Sequence, residues 1–220
     1  MIEEKLTAVR ARITRAAERS GRDPDGITLV AVSKIKPASD IVAAYEAGQR
    51  HFGENYVQEF QRKSAELPKL PGALFHFIGK LQSNKTTPAA ELFDVIQTVD
   101  SEKIARRLDA AGKALDVFLE VKVSEEESKG GMGAERLPAV KAVVEECQNL
   151  RLRGLMIMPP WFDDAEQARP YFRRCRELAE EHGLAELSMG MSHDLEVAIE
   201  EGSTLVRVGT AIFGKRVYDK

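Results

Sequence analysis

Two stretches near opposite ends of the chain carry residue types that could act on one ligand. Lys34 closes the apolar run ITLVAVS (27–33). A lysine among apolar neighbours has its pKa lowered by desolvation, which frees the amine lone pair to form a Schiff base with an aldehyde or ketone. Near the other end, SMGMS (188–192) runs into a helical pattern. Ser192 is therefore placed as an N-cap, with its hydroxyl and the neighbouring amides facing outward at the positive end of a helix dipole, a ready anion site. VRVGTAIFG (206–214) then sets Gly209 and Thr210 just past a further apolar run. A glycine there lets a backbone approach a phosphate closely.

The elements that must position these groups follow from periodicity. Short apolar runs recur at 27–33, 50–53, 74–79, 94–99, 116–123, 150–158, 185–191 and 204–209. Between them lie segments of helical period at about 38–48, 54–67, 84–92, 101–113, 134–149, 163–183 and 192–201, with an amphipathic helix over 2–20 in front and a last helix expected after Gly214. Ser101 is placed as an N-cap, and Gly48, Gly112 and Gly183 stand where left-handed residues end helices. Eight βα units without a linker predict an α/β fold, a single (β/α)8 TIM barrel with an extra N-terminal helix, formed by residues 1–220 as one domain. They account for nearly all 220 residues and leave nothing for a second domain. Period-two alternation then puts Val30, Val32 and Lys34 on one face of strand one, His76 and Ile78 on one face of strand three, Phe118, Glu120 and Lys122 on one face of strand five, and Arg207 with Leu205 on strand eight. The opposite faces are apolar and suit the helical layer, so the polar set points into the barrel. Buried charges of this kind are costly unless paired or bound to something.

A Schiff-base lysine on strand one and a phosphate grip after strands seven and eight suit one small molecule bearing an aldehyde and a phosphate on a ring, pyridoxal 5′-phosphate (PLP). Arg207 would then approach the pyridine nitrogen and keep it unprotonated, weakening the ring as an electron sink. An ion pair between Arg207 and Glu120 is the competing structural reading. AVSK with Lys34, HFGENYVQE (51–59), HFIGKLQSNK (76–85), SMGMSHD (188–194) and VRVGTAIFG (206–214) together resemble the pyridoxal phosphate homeostasis protein family. The resemblance spans nearly the whole chain. It implies a fold-type III barrel similar to the N-terminal domain of alanine racemase, with the cofactor held on Lys34 as a reversible aldimine. It further implies that Asn55 borders the cofactor, that Ser192, Gly209 and Thr210 hold its phosphate, and that Arg207 lies by the ring nitrogen. Members look like carriers or regulators of free PLP without catalytic turnover, so no catalytic residue is assigned.

Several positions depart from that pattern. Phe75 stands where tryptophan is usual, Lys80 where proline is, and His193 where an acidic residue is; Glu120 and Lys122 replace neutral amides, with a self-neutralising pair as the simplest expectation. Trp161 is expected to anchor a loop, and KGGMG (129–133) to form a mobile cover. GKLQSNKT (79–86) lacks the full phosphate-loop pattern. His193 and Glu196 are too few for a metal site, and no nucleophile is set beside His51 or His76 by any motif, so neither a metal nor a triad is expected.

Composition bounds the alternatives. Hydrophobic residues make up 43% and charged residues 30%, with 32 Lys+Arg against 35 Asp+Glu for a net charge of −3, so neither disorder nor a nucleic-acid stripe is indicated. Two cysteines, Cys147 and Cys175, do not make a disulfide framework, and no run approaches the length of a membrane span or a secretory h-region. The chain is expected to be a cytoplasmic monomer whose partners are PLP and client PLP enzymes. The enzymic alternatives are an amino-acid racemase, which needs a second acid/base opposite Lys34, and a Schiff-base aldolase. Tyr45, Tyr56, Tyr171 and Tyr218 fall in helices or the tail, none placed for the racemase role.

Overall fold

A computed structural model of the protein describes residues 1–123 and 130–214. Eight parallel strands close into a barrel in sequential order: β1 (Thr28–Val32), β2 (His51–Glu54), β3 (Leu74–Phe77), β4 (Val95–Val99), β5 (Leu115–Glu120), β6 (Leu150–Met156), β7 (Glu186–Met191) and β8 (Leu205–Val208). Closure pairs β1 with β8, and Val30 lies opposite Arg207. The strands are short, with β-branched residues concentrated in β1, β4 and β8, and are covered on both faces. The eight-unit barrel read from the periodicity is the fold observed.

The helices are α1 (Ile2–Arg19), α2 (Ala38–Glu46), α3 (Val57–Glu66), α4 (Thr86–Leu92), α5 (Glu102–Asp109), α6 (Leu137–Glu146), α7 (Arg169–Glu181), α8 (Leu195–Glu200) and α9 (Thr210–Phe213). Gly48, Gly112 and Gly183 take φ of 84°, 72° and 67° where α2, α5 and α7 end, and Ser101 occupies the N-cap position of α5, although its hydroxyl donates to Asp100 Oδ1 (3.2 Å) and not to the helix. A short helix, α9, precedes Gly214, its amides at 212–214 bonding back to the Gly209 and Thr210 carbonyls; the segment after Gly214, where a last helix is expected, lies outside the described residues. Helix α1 buries Leu6, Val9, Ile13, Ala16 and Ala17, a three-to-four-residue stripe, against α8 and α9.

The barrel interior holds Val30, Val95, Phe118, Met156 and Leu205 as one packed layer. The opposite faces of the same strands, among them Leu29, Ala31, Val117, Leu119, Val206 and Val208, are buried beneath the helices. Alternation therefore sorted these strands correctly. Phe75 belongs to the outer layer, where it meets Phe60 at 4.7 Å and Phe52 at 5.6 Å between ring centroids. A smaller aromatic than tryptophan thus still packs between β3 and α3.

Residues 130–133, part of the segment expected to cover the pocket, instead dock on the end of β5. Met132 is buried, its amide donates to the Glu120 carbonyl (2.9 Å), and the Lys122 amide donates to the Met132 carbonyl (2.8 Å). The rest of that loop, 124–129, lies outside the described residues.

Candidate functional site at the C-terminal mouth of the barrel

At the ends of β1, β2, β7 and β8 a cavity of about 620 Å³ opens, within the range of small-molecule sites. Its walls include Lys34, Asn55, Ser192, Arg207, Gly209 and Thr210, so the chain's two distant stretches meet in one place. Val32 and Ile78, on the inward faces assigned by alternation, line it as well.

Each group is placed by a local device. Lys34 follows β1 in the tight turn Ser33–Lys36, closed by the Lys36 amide donating to the Ser33 carbonyl (3.1 Å). Asn55 follows β2, where Gly79 packs on its main chain; a Cβ at Gly79 would collide with the Asn55 carbonyl. Asn55 Oδ1 is buried and has no hydrogen-bond partner among the described residues, an acceptor available to a ligand. Gly209 has an ordinary φ of −112°. Its role is close approach, since a Cβ there would stand 3.3 Å from the Val32 carbonyl oxygen.

Ser192 is not the N-cap of α8. Asp194 holds that position, and its Oδ1 accepts from the Met191 amide (2.6 Å), closing the 191–194 turn on itself. Ser192 lies inside this turn and reaches the cavity from there. The turn is held from outside by α1: Arg12 donates to the Ser192 carbonyl (3.0 Å) and to both carboxylate oxygens of Glu196 (2.6 and 2.7 Å). The extra helix thereby supports the site. Glu196 is committed to Arg12, and His193 contacts the Asp163 carbonyl (3.0 Å) and stacks near Trp161, 4.9 Å between centroids. Trp161 is 65% exposed on the cavity rim.

Arg207 is buried and cationic, its pKa lowered by burial to about 10 and drawn back up foremost by Asp194 and then Glu120. Its hydrogen bonds go to Ser188 Oγ (2.5 Å) and the Ile157 carbonyl (2.8 Å), neutral acceptors that stand in place of the competing ion pair with Glu120. A chain of contacts continues across the barrel: Ser188 to Gln97 (2.6 Å), Gln97 to His76 (2.9 Å), His76 to His51 (2.9 Å). Because guanidinium has no acceptor, Arg207 fixes the direction of every link. The Ser188 hydroxyl donates to Gln97 Oε1, the Gln97 amide donates to His76 Nδ1, and His76 carries its proton on Nε2, donating to His51 Nδ1. Burial, followed by the neighbouring His51, lowers the His76 pKa to about 3, so the ring is neutral.

Lys122 has only a minor hold on the charge of Glu120. Burial raises the Glu120 pKa to about 7, Asp100 adds to the rise, and of the cations opposing it Arg207 comes first and Lys122 last. Sequence reasoning gave no role to Gln97 or Ser188, although each is a polar residue inside an apolar run, the signal that singled out His76. Cys175 is fully buried, its thiol pushed up to about 12 by desolvation.

A parallel barrel with a lysine at the end of β1 and a cavity over β7 and β8 fits the family described as alanine racemase, N-terminal domain, whose model matches residues 5–217. A solved alanine racemase from Clostridium difficile 630 shares the fold at 13% identity and a TM-score of 0.73, covering 99% of this chain and 57% of that one. Closer likeness is to the pyridoxal phosphate homeostasis proteins of Pseudomonas aeruginosa (50% identical, 99% of this chain and 96% of that protein) and Escherichia coli K12 (46%, 100% and 98%). The PipY protein of Synechococcus elongatus PCC7942, solved with PLP bound, is 40% identical with a TM-score of 0.86, over 97% of this chain and 100% of that chain. The chain belongs to the pyridoxal phosphate homeostasis protein family.

Proposed function

We propose that this protein, as one barrel domain, binds PLP reversibly at the cavity and serves the intracellular balance of the cofactor without turning over a substrate. The convergence of Lys34, Asn55, Ser192, Arg207, Gly209 and Thr210 on one cavity carries the reading. The fit is chemical as well as spatial: a primary amine, a buried cation, an orphaned amide oxygen and a glycine-bearing turn face one space.

When bound, PLP supplies an aldehyde that condenses reversibly with a primary amine. Lys34 presents that amine. Ser192, Gly209 and Thr210 receive the phosphate at the β7 and β8 ends. Arg207 stays protonated at neutral pH and, with its other donors committed to Ser188 and Ile157, offers a ring nitrogen a donor and never an acceptor. That position favours holding the cofactor over carbanion chemistry. No tyrosine of the described residues lines the cavity, and Tyr218 lies outside them, which disfavours a two-base racemase. A cytoplasmic monomer that passes PLP to client enzymes is the setting we infer; no helix among the described residues is long and apolar enough to cross a membrane.

Adding PLP should produce the visible absorbance band of a lysine-bound cofactor, and Lys34→Ala should abolish it. A band that survives Lys34→Ala would remove the lysine from the reading. Exchange of the α-hydrogen of alanine for deuterium at about 1 s⁻¹ or faster, an ordinary enzymic rate, would replace the carrier by an enzyme.

A further inference from the structure

The wall behind Lys34 contains a feature that the cavity does not explain. Strand β2 turns Glu54 outward, away from the barrel interior, into the layer where β-strands meet helices and where such barrels are usually apolar. There it meets Lys63 and Glu59 of α3. Lys63 Nζ lies 2.7 Å from Glu54 Oε1 and 2.9 Å from Glu59 Oε1; the Lys63 side chain is 6% exposed and that of Glu54 is fully buried. Burial raises the Glu54 pKa, and Lys63 is the foremost influence opposing it. Three charges in this place are costly, and neutral packing of the same volume would serve stability as well or better.

Their remaining bonds show what they hold. Ser33 Oγ donates to Glu54 Oε1 (2.8 Å), Lys63 Nζ donates to the Ser33 carbonyl (2.9 Å), and the Ile35 amide donates to Glu59 Oε1 (2.6 Å). All three end on the residues immediately before and after Lys34. Ile35 itself has φ of 60°, the sole non-glycine residue in the left-handed region among the described residues. It stands third in the Ser33–Lys36 turn, a position where positive φ ordinarily calls for glycine. For a β-branched residue this conformation is strained and persists only where surrounding contacts impose it.

We propose that the triad Glu54–Lys63–Glu59, its first two members buried and Glu59 partly so, is a positioning device: it clamps Ser33 and the left-handed Ile35 and so fixes where the Lys34 amine enters the cavity. The inference rests on Lys34 being the lysine that captures PLP. Glu59 and Ile35 act through Lys34 and touch no ligand. The same segment, HFGENYVQE, supplies Asn55 to the cavity and both clamp carboxylates behind it.

The test measures PLP capture by stopped-flow absorbance across pH, together with circular dichroism and thermal melting of the apo protein. Glu59→Ala removes the acceptor of the Ile35 amide and should slow capture by about tenfold or more, the scale expected for a misplaced reacting group. Glu59→Gln keeps an oxygen for that amide and should stay within about threefold of the parent, roughly 0.6 kcal/mol. Adding Ile35→Gly to Glu59→Ala should recover most of the loss, since glycine reaches positive φ without being held there. Damage of a general kind would not be rescued by a glycine in an exposed turn. Ile35→Pro, which removes the donor and forbids the left-handed conformation without touching the charges, should reproduce the defect and carries the test if Glu59→Ala does not fold. Capture at the parental rate in folded Glu59→Ala or Ile35→Pro, or failure of both Glu59→Gln and Ile35→Gly to restore it, overturns the proposal. Persistence of the band in Lys34→Ala would instead overturn the underlying reading, so the two failures are distinct.

Discussion

Behind Lys34 the barrel wall is ionic, whereas beneath Arg207 the barrel interior is polar but, apart from Arg207 itself, neutral along its chain of contacts. The two cations therefore rely on different physics. The lysine side depends on charge balance among Glu54, Lys63 and Glu59, so removing one member strands the others in a place with little water. The arginine side depends on hydrogen-bond direction. Arg207 can only donate, and Ser188, Gln97, His76 and His51 pass that polarity on without carrying charge. A charged clamp resists displacement of the turn it grips; a directional neutral chain fixes the guanidinium without asking a carboxylate to cancel it. The latter leaves Arg207's charge directed at the cavity.

The largest difference should come from breaking the clamp. Lys63→Met leaves a fully buried Glu54 without its cation and should cost about 3–5 kcal/mol, the usual cost of stranding one partner of a buried pair. Urea denaturation measures it. A loss below about 1 kcal/mol would mean that water or a shift of α3 compensates the charge, and the contrast between the two sides would fade.

How far each side could be read from the sequence follows the same division. Strand spacing and alternation revealed the barrel and the polar set Lys34, His76, Glu120, Lys122 and Arg207, of which Lys122 lies past the end of β5, because period two depends on local backbone geometry alone. Of the cavity's lining, Lys34, Ser192, Arg207, Gly209 and Thr210 were legible for a similar reason, as strand ends fall at one mouth once a barrel closes, whereas Asn55 was expected only from the family resemblance. The clamp was not. Glu54, Glu59 and Lys63 form an ordinary charged pattern at the start of a helix, and only the packing of α3 on β2 turns them into a largely buried triad aimed at the neighbouring β1 turn. Ser192 misled for a related reason: Ser and Asp are both good caps, and the 191–194 turn gives the place to Asp194.

On the neutral side the expected effect is smaller and depends on pH. Folding holds the His76 pKa near 3 against an ordinary 6.5, so the unfolded chain takes up a proton that the native chain refuses between those values. Stability is complete above pH 6.5 and falls as pH drops toward 3, by up to about 1.4 kcal/mol per unit for this group. His76→Gln should cost about 1–3 kcal/mol at pH 7 through mismatched bonds to Gln97 and His51, yet lose less on going to pH 5. Denaturant titrations at both pH values check this. An unchanged slope would show that His76 takes up its proton in the native state at its ordinary pH, and the directional chain would have to be redrawn.

Glu120 offers the finest test because its dependence runs the other way. Its native pKa, raised from 4.5 to about 7 by burial and then Asp100, means that the native chain keeps a proton which the unfolded chain releases across that window. Stability attributable to this group therefore falls as pH rises from 4.5 to 7 and is level above it. Glu120→Gln removes the ionisation while keeping the shape, so the variant should match the parent near pH 4.5 and exceed it by about 1–3 kcal/mol above pH 7. PLP affinity of the same variant then separates two roles. If Arg207 is held by Ser188 and Ile157 alone, affinity changes little; a tenfold change would mean that Glu120, in electrostatic reach of the guanidinium, sets the charge the cavity presents, and that the arginine side is as ionic as the lysine side after all.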